Sequence, residues 1–160
     1  MEETVSSRRG FLKATALFAG SAAMAPSVIA STNTKAQQSV FNEYEPNKIG
    51  TLSQLKKEGE LDFNYPDDAS TCKAVYIDGE IKAYSTICTH KGCPTVYNKE
   101  LQQFECPCHY TKYDAAKDGQ MVIGHATGGL PKVLLEIKGD DIYAVGFDGL
   151  IFGRINNNRG

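Results

Sequence analysis

The chain has 160 residues, 41% of them hydrophobic, a formal net charge of -2 at pH 7, five cysteines and no tryptophan. That length bounds one globular domain plus an N-terminal extra, and the balanced charge excludes a basic nucleic-acid footprint. Frequent glycine among short β-branched and aromatic runs favours an all-β fold, and no repeat of solenoid period is present.

Residues 1–30 read as a targeting segment rather than as fold. Ser7-Arg8-Arg9-Gly10-Phe11-Leu12-Lys13 matches the twin-arginine export signature, and an alanine-rich, weakly apolar stretch follows from Ala14 to Ala30. Val28 and Ala30 put small residues at the -3 and -1 places of a signal-peptidase site, so cleavage after Ala30 and a periplasmic destination are expected. The competing reading is an uncleaved N-terminal membrane anchor, for which Lys13, Gly20 and Pro26 make a poor spanning helix. Residues 31–46 read as a linker, polar and small from Ser31 to Gln38.

The expected domain covers residues 47–153, followed by a polar tail over 154–160. Asn47 to Gly50 opens a first strand, and a short helix follows from a cap at Thr51 or Ser53 to a stop at Gly59. Leu61 to Tyr65 alternates as a half-buried strand and turns at Pro66-Asp67-Asp68. Cys72 to Ile77 and Glu80 to Thr86 form a hairpin on Asp78-Gly79, which leads straight into Cys88. Thr95 to Tyr97 and Gln103 to Cys106 are short strands around an Asn98-Lys99-Glu100 turn, and Asp114 to Gln120 is a polar turn. Lys132 to Ile137 and Ile142 to Val145 alternate cleanly, and a turn at Asp148-Gly149 sends Leu150 to Phe152 back as a last strand. Together these make an antiparallel β domain with a subdomain inserted over about residues 87–127.

That insertion holds the chemistry. Cys88-Thr89-His90 and Cys106-Pro107-Cys108-His109 each offer one sulfur and one nitrogen ligand, so the two loops together supply four metal ligands. A zinc finger usually pairs two Cys on one element and two His on another. One S and one N from each loop suits a 2Fe-2S cluster instead, with Cys88 and Cys106 on one iron and His90 and His109 on the other. A structural zinc site remains the alternative. If the four ligands converge, Cys93 and Cys108 come close enough to bridge. Cys72 is then left without a partner and reads as a buried apolar residue. His125 reads as a surface-loop histidine.

CTHKGC with CPCH resembles the Rieske iron-sulfur family, in its disulfide-bearing branch. The resemblance implies that Thr111 donates to a bridging sulfide and Tyr113 to a ligating cysteine sulfur. It also implies that GHATGGLP, Gly124 to Pro131, covers the cluster. Within that family ASTCKAV, GQMVIGHAT and the terminal GLIFGR look like the small subunit of arsenite oxidase, whose sister is the small subunit of iodate reductase. An electron relay is the role this likeness implies: a large molybdopterin subunit with a 3Fe-4S cluster on one side, and a soluble cytochrome c or cupredoxin on the other. The chain alone is not expected to bind the substrate, and no catalytic nucleophile or carboxylate pair is found in it. It departs from arsenite oxidase small subunits in lacking a longer insertion at Asp78-Gly79. A quinol-oxidising subunit of a cytochrome bc complex is a further alternative.

Overall fold

The computed structural model describes residues 41–154 and Asn157, so the expected export signal, its expected cleavage site and the expected linker up to residue 40 lie outside the described residues. Ten strands and one helix follow in order: β1 Phe41–Thr51, α1 Leu52–Glu58, β2 Glu60–Asn64, β3 Thr71–Ile77, β4 Glu80–Ser85, β5 Val96–Asn98, β6 Gln103–Glu105, β7 Lys112–Asp114, β8 Gln120–Ile123, β9 Lys132–Lys138 and β10 Asp141–Asp148. Six of them form one antiparallel sheet in the order β1-β10-β9-β4-β3-β2, and β5-β6-β7-β8 form a second sheet of four. The small sheet is thus inserted between β4 and β9. Among the described residues no helix is long and apolar enough to cross a membrane.

Local chemistry accounts for most boundaries. The Thr51 side chain caps α1 by accepting from the Gln54 N–H, and Gly59 ends it in the left-handed region while donating to the Leu55 carbonyl. Asp78 and Gly79 both take positive φ, the two-residue turn that matches strand twist, and so set the β3–β4 register from Ile77↔Glu80 to Cys72↔Ser85.

Two expectations are corrected, and two strands are added. β1 begins at Phe41, inside the stretch read as linker, and pairs Phe41 with Asp148 and Glu43 with Gly146. A register shift between Glu43 and Asn47 brackets Pro46, which has no N–H for the ladder, and this interruption hid the strand's first half. No strand forms over Leu150 to Phe152; the Ile151 N–H goes to Asn157 Oδ1 instead of to a neighbouring strand. The start of the polar tail is therefore held, since the Asn157 amide also donates to the carbonyls of Ile151 and Arg154. Finally, β7 and β8 flank the turn expected at Asp114 to Gln120, where the Asp114 carboxylate accepts from the N–H groups of Ala116 and Lys117.

Burial divides into two clusters. One, with Leu55, Tyr65, Cys72, Ile142 and Phe147, fills the six-stranded sheet. The other joins Val75, Ile77 and Tyr84 of the scaffold to Cys88, Phe104, Cys106 and Tyr113 of the inserted segment. Tyr84 is the pin between them: its ring meets Phe104 edge-on at 5.6 Å and its hydroxyl donates to the Ala115 carbonyl at 2.8 Å.

Candidate metal centre

Two loops rise from the ends of β4 and β6 and close in the same way. In the first, the Cys88 N–H donates to the Cys93 carbonyl at 2.8 Å and the Gly92 N–H to the Cys88 carbonyl at 2.9 Å. In the second, the Cys106 N–H donates to the Thr111 carbonyl at 2.8 Å. Each first cysteine is thereby fixed at the root of its loop, and the histidine two or three residues on sits at the tip. Positive φ at Gly92 and Tyr110 makes the turns.

The expected ligands meet as two pairs, sulfur with sulfur and imidazole with imidazole. Cys88 and Cys106 are buried, at 1% and 2% exposure, with their thiols facing each other. His90 is half-buried and His109 exposed, their ring centroids 4.6 Å apart. Cys93 and Cys108 form a disulfide that ties the loops together. The sulfurs of Cys93, Cys106 and Cys108 lie within 4.8 Å of one another, but two of them are spent in that bond, so this triplet is no ligand set of its own.

The donor set fits a cluster with sulfur ligands inside and nitrogen ligands outside. Its sharpest sign is His90 Nδ1, a buried nitrogen with no hydrogen-bond partner, which a native fold tolerates where a metal takes the lone pair. Charge on the sulfurs is also provided for. Burial pushes the Cys88 thiol up, but hydrogen bonds from the Tyr113 hydroxyl, the Cys106 thiol and the N–H groups of His90 and Lys91 outweigh it, and the net shift is downward. At Cys106 burial dominates and the thiol moves up, partly opposed by the N–H groups of Cys108 and His109.

Tyr113 is fully buried, with its oxygen 3.2 Å from Cys88 Sγ. It accepts from the Thr89 N–H at 3.2 Å, while the Thr89 hydroxyl donates to the Gly128 carbonyl at 2.8 Å. The Thr89 hydroxyl has therefore no proton to offer Tyr113, and the phenolic proton is left for Cys88 or Thr89 Oγ1 to accept. Burial pushes the Tyr113 phenol up to about 12, so the proton stays in place as a donor.

Thr111 is also fully buried, and its oxygen accepts from the His125 N–H at 3.2 Å. Gly124 presses on it so closely that a Cβ there would lie 2.4 Å from Thr111 Cα. His125, read from sequence as a surface histidine, is exposed but belongs to this site, with its ring 5.8 Å from that of His90. Its place in the covering loop was the available signal. Cys72 lies in the other core and takes no part.

Comparison with known proteins agrees with this geometry. Residues 45–133, more than half of the chain, match the family described as Rieske [2Fe-2S] domain. The chain is 36% identical over 172 residues to "Iodate reductase subunit IdrB" of Denitromonas iodatirespirans, covering 99% of this chain and 90% of that one. It is 38% identical over 167 residues to "Iodate reductase subunit IdrB" of Pseudomonas sp. (strain SCT), covering 95% and 84%. Among solved structures, the plasma membrane Rieske protein PetC3 from Synechocystis PCC 6803 superposes with a TM-score of 0.54 at 33% identity, over 62% of this chain and 97% of that one. With sulfur donors inside, nitrogen donors at the rim and relatives matched over most of their length, this chain belongs to the Rieske family and carries a Rieske-type 2Fe-2S cluster.

Proposed function

We propose that this chain is the electron-transfer subunit of a periplasmic oxidoreductase of the iodate reductase type. In this reading it relays electrons between a soluble cytochrome c or cupredoxin and a large molybdopterin subunit with a 3Fe-4S cluster. The observation that carries it is the near full-length similarity to two iodate reductase subunits. The arsenite oxidase reading, which the sequence motifs put first, gives way to its sister on this ground.

The residues divide the work. Cys88, Cys106, His90 and His109 hold the cluster, which when bound takes up and gives back one electron at a time. Burial of the two sulfurs keeps water from them, while the hydrogen-bond donors around them favour the more negative, reduced state and so raise the potential. The exposed face of His109 offers a partner protein a short route inward. A groove of about 730 Å³ between β4, β9 and α1 is lined by none of these side chains. Export by the twin-arginine motif at residues 7–13 delivers the folded protein to an oxidising compartment, which suits the Cys93–Cys108 bond.

Purification of the tagged chain from its native host tests this. The expected result is co-purification of a molybdenum-containing subunit and iodate-dependent oxidation of a reduced dye. Recovery with cytochrome b, or arsenite-driven dye reduction without iodate activity, would overturn it. Arg8→Lys with Arg9→Lys is expected to leave the protein in the cytoplasm.

A further inference from the structure

The first cluster loop is covered by the C-terminal turn. Gly92 has φ of +73°, and a Cβ built there would lie 2.6 Å and 2.8 Å from two ring carbons of Phe152. The aromatic ring thus rests on the one residue of the loop with no side chain, whose N–H closes onto the Cys88 carbonyl. Phe152 itself is 41% exposed, so core burial does not explain its place.

Its backbone is anchored on both sides. Ile151, next to it, is buried in the core of the six-stranded sheet and exchanges two hydrogen bonds of 2.9 Å with the Asn157 side chain. Arg154 pairs with Asp67 and lies 5.4 Å over the Tyr44 ring, and the Tyr44 hydroxyl donates to the Asn157 carbonyl. These contacts tie the turn to β1 and to the β2–β3 connection, which are parts of the scaffold and not of the cluster sheet.

We propose that residues 150–154, closed by Asn157, act as a strap, and that Phe152 is a positioning residue. It fixes the loop from Cys88 to Cys93, and with it His90, while shielding the Cys93 side of the disulfide. This rests on the reading of Cys88 and His90 as cluster ligands. The second loop is braced in another way, by the close approach of Gly124 to Thr111.

The test uses the full chain with its cluster assembled, comparing wild type with Phe152→Ala, Phe152→Leu and Arg154→Gln. Phe152→Ala is expected to keep its iron but to shift the EPR g-values and midpoint potential. The Cys93–Cys108 bond should be reduced several-fold faster by a water-soluble phosphine. Hydrogen exchange should rise across residues 88–93 and not across 106–111. Arg154→Gln should move the same readouts less, and Phe152→Leu should restore most of them. Unchanged g-values, potential and phosphine rate in Phe152→Ala would overturn the proposal, as would an equal rise in exchange in both loops, which marks general destabilisation. Should Phe152→Ala fail to fold, Arg154→Gln and Phe152→Leu decide by the same criteria. A wild-type protein without a Rieske-type EPR signal would refute the ligand reading instead, while the phosphine and exchange measurements still report on the strap.

Discussion

Cys72 and Cys88 are buried to the same degree, each 1% exposed, and their thiols shift in opposite directions. Burial pushes Cys72 up to about 12, and its sulfur has only the carbonyls of Tyr65 and Ser70 for company, at 3.5 and 3.6 Å. Cys88 moves down because a phenol and two backbone N–H groups are aimed at it. The difference teaches that depth does not make a metal ligand. What differs is the surroundings: N–H donors face Cys88 and also Cys106, whose thiol burial still moves up, while carbonyl acceptors face Cys72.

The strongest way to break this comparison is to replace each sulfur by oxygen. Cys88→Ser is expected to abolish cluster incorporation, and His109→Ala likewise, with thermal destabilisation as each loop loses its tie. Cys72→Ser should retain the cluster. Iron and sulfide content with the visible spectrum checks all three. A normal spectrum in Cys88→Ser would dismiss the ligand assignment.

A smaller effect is expected at the backbone that keeps the donors aimed. In Gly124→Ala the new methyl meets Thr111 Cα, a backbone atom that cannot step aside, at a φ of +124° that disfavours side chains. Overpacking and strain together should cost about 2–4 kcal/mol, read from denaturant unfolding. Gly92→Ala meets the Phe152 ring, a side chain able to move, and should cost less.

The pH dependence of stability sharpens the thiol contrast. Because the folded-state value of Cys72 is raised from 9.0 to about 12, the fold binds the proton more tightly than the unfolded chain does. Its stability contribution is complete below pH 9 and is lost as pH rises toward about 12. The slope from this one group is at most about 1.4 kcal/mol per pH unit. Cys72→Ala should flatten the alkaline limb of a plot of unfolding free energy against pH; an unchanged limb would assign it to the tyrosines. Tyr65 moves in the same direction, up to about 12 through burial.

The smallest change expected is that of Tyr113→Phe. It removes one oxygen that touches Cys88 Sγ, the Thr89 N–H and Thr89 Oγ1, at a cost of about 1 kcal/mol. The cluster should remain and its midpoint potential should fall, since one donor to sulfur is gone. A potential equal to that of wild type would show that the phenolic proton goes to Thr89 instead.

Much of this was legible in the chain itself. Hairpin chemistry at Asp78-Gly79, the cap at Thr51 and the alternation of Lys132 to Ile137 are local signals, and a local signal needs no knowledge of the fold. The Cys and His spacing was equally readable, because a ligand pair within one loop is set by a few bonds. β7 and β8 escaped notice because three or four residues show no period; the equally short β5 and β6 were legible only from the Asn98-Lys99-Glu100 turn between them.

What the sequence determined by itself was therefore the ligand chemistry and the antiparallel scaffold, both carried by near neighbours in the chain. Only the tertiary structure decided what faces each group. It set the ring of His125 beside His90, led β1 past Pro46 to pair with β10, and brought Phe152 onto Gly92. It also gave two cysteines of equal burial opposite surroundings. Such contacts join residues far apart in sequence, and they form only when the whole sheet closes, so no window of the sequence contains them.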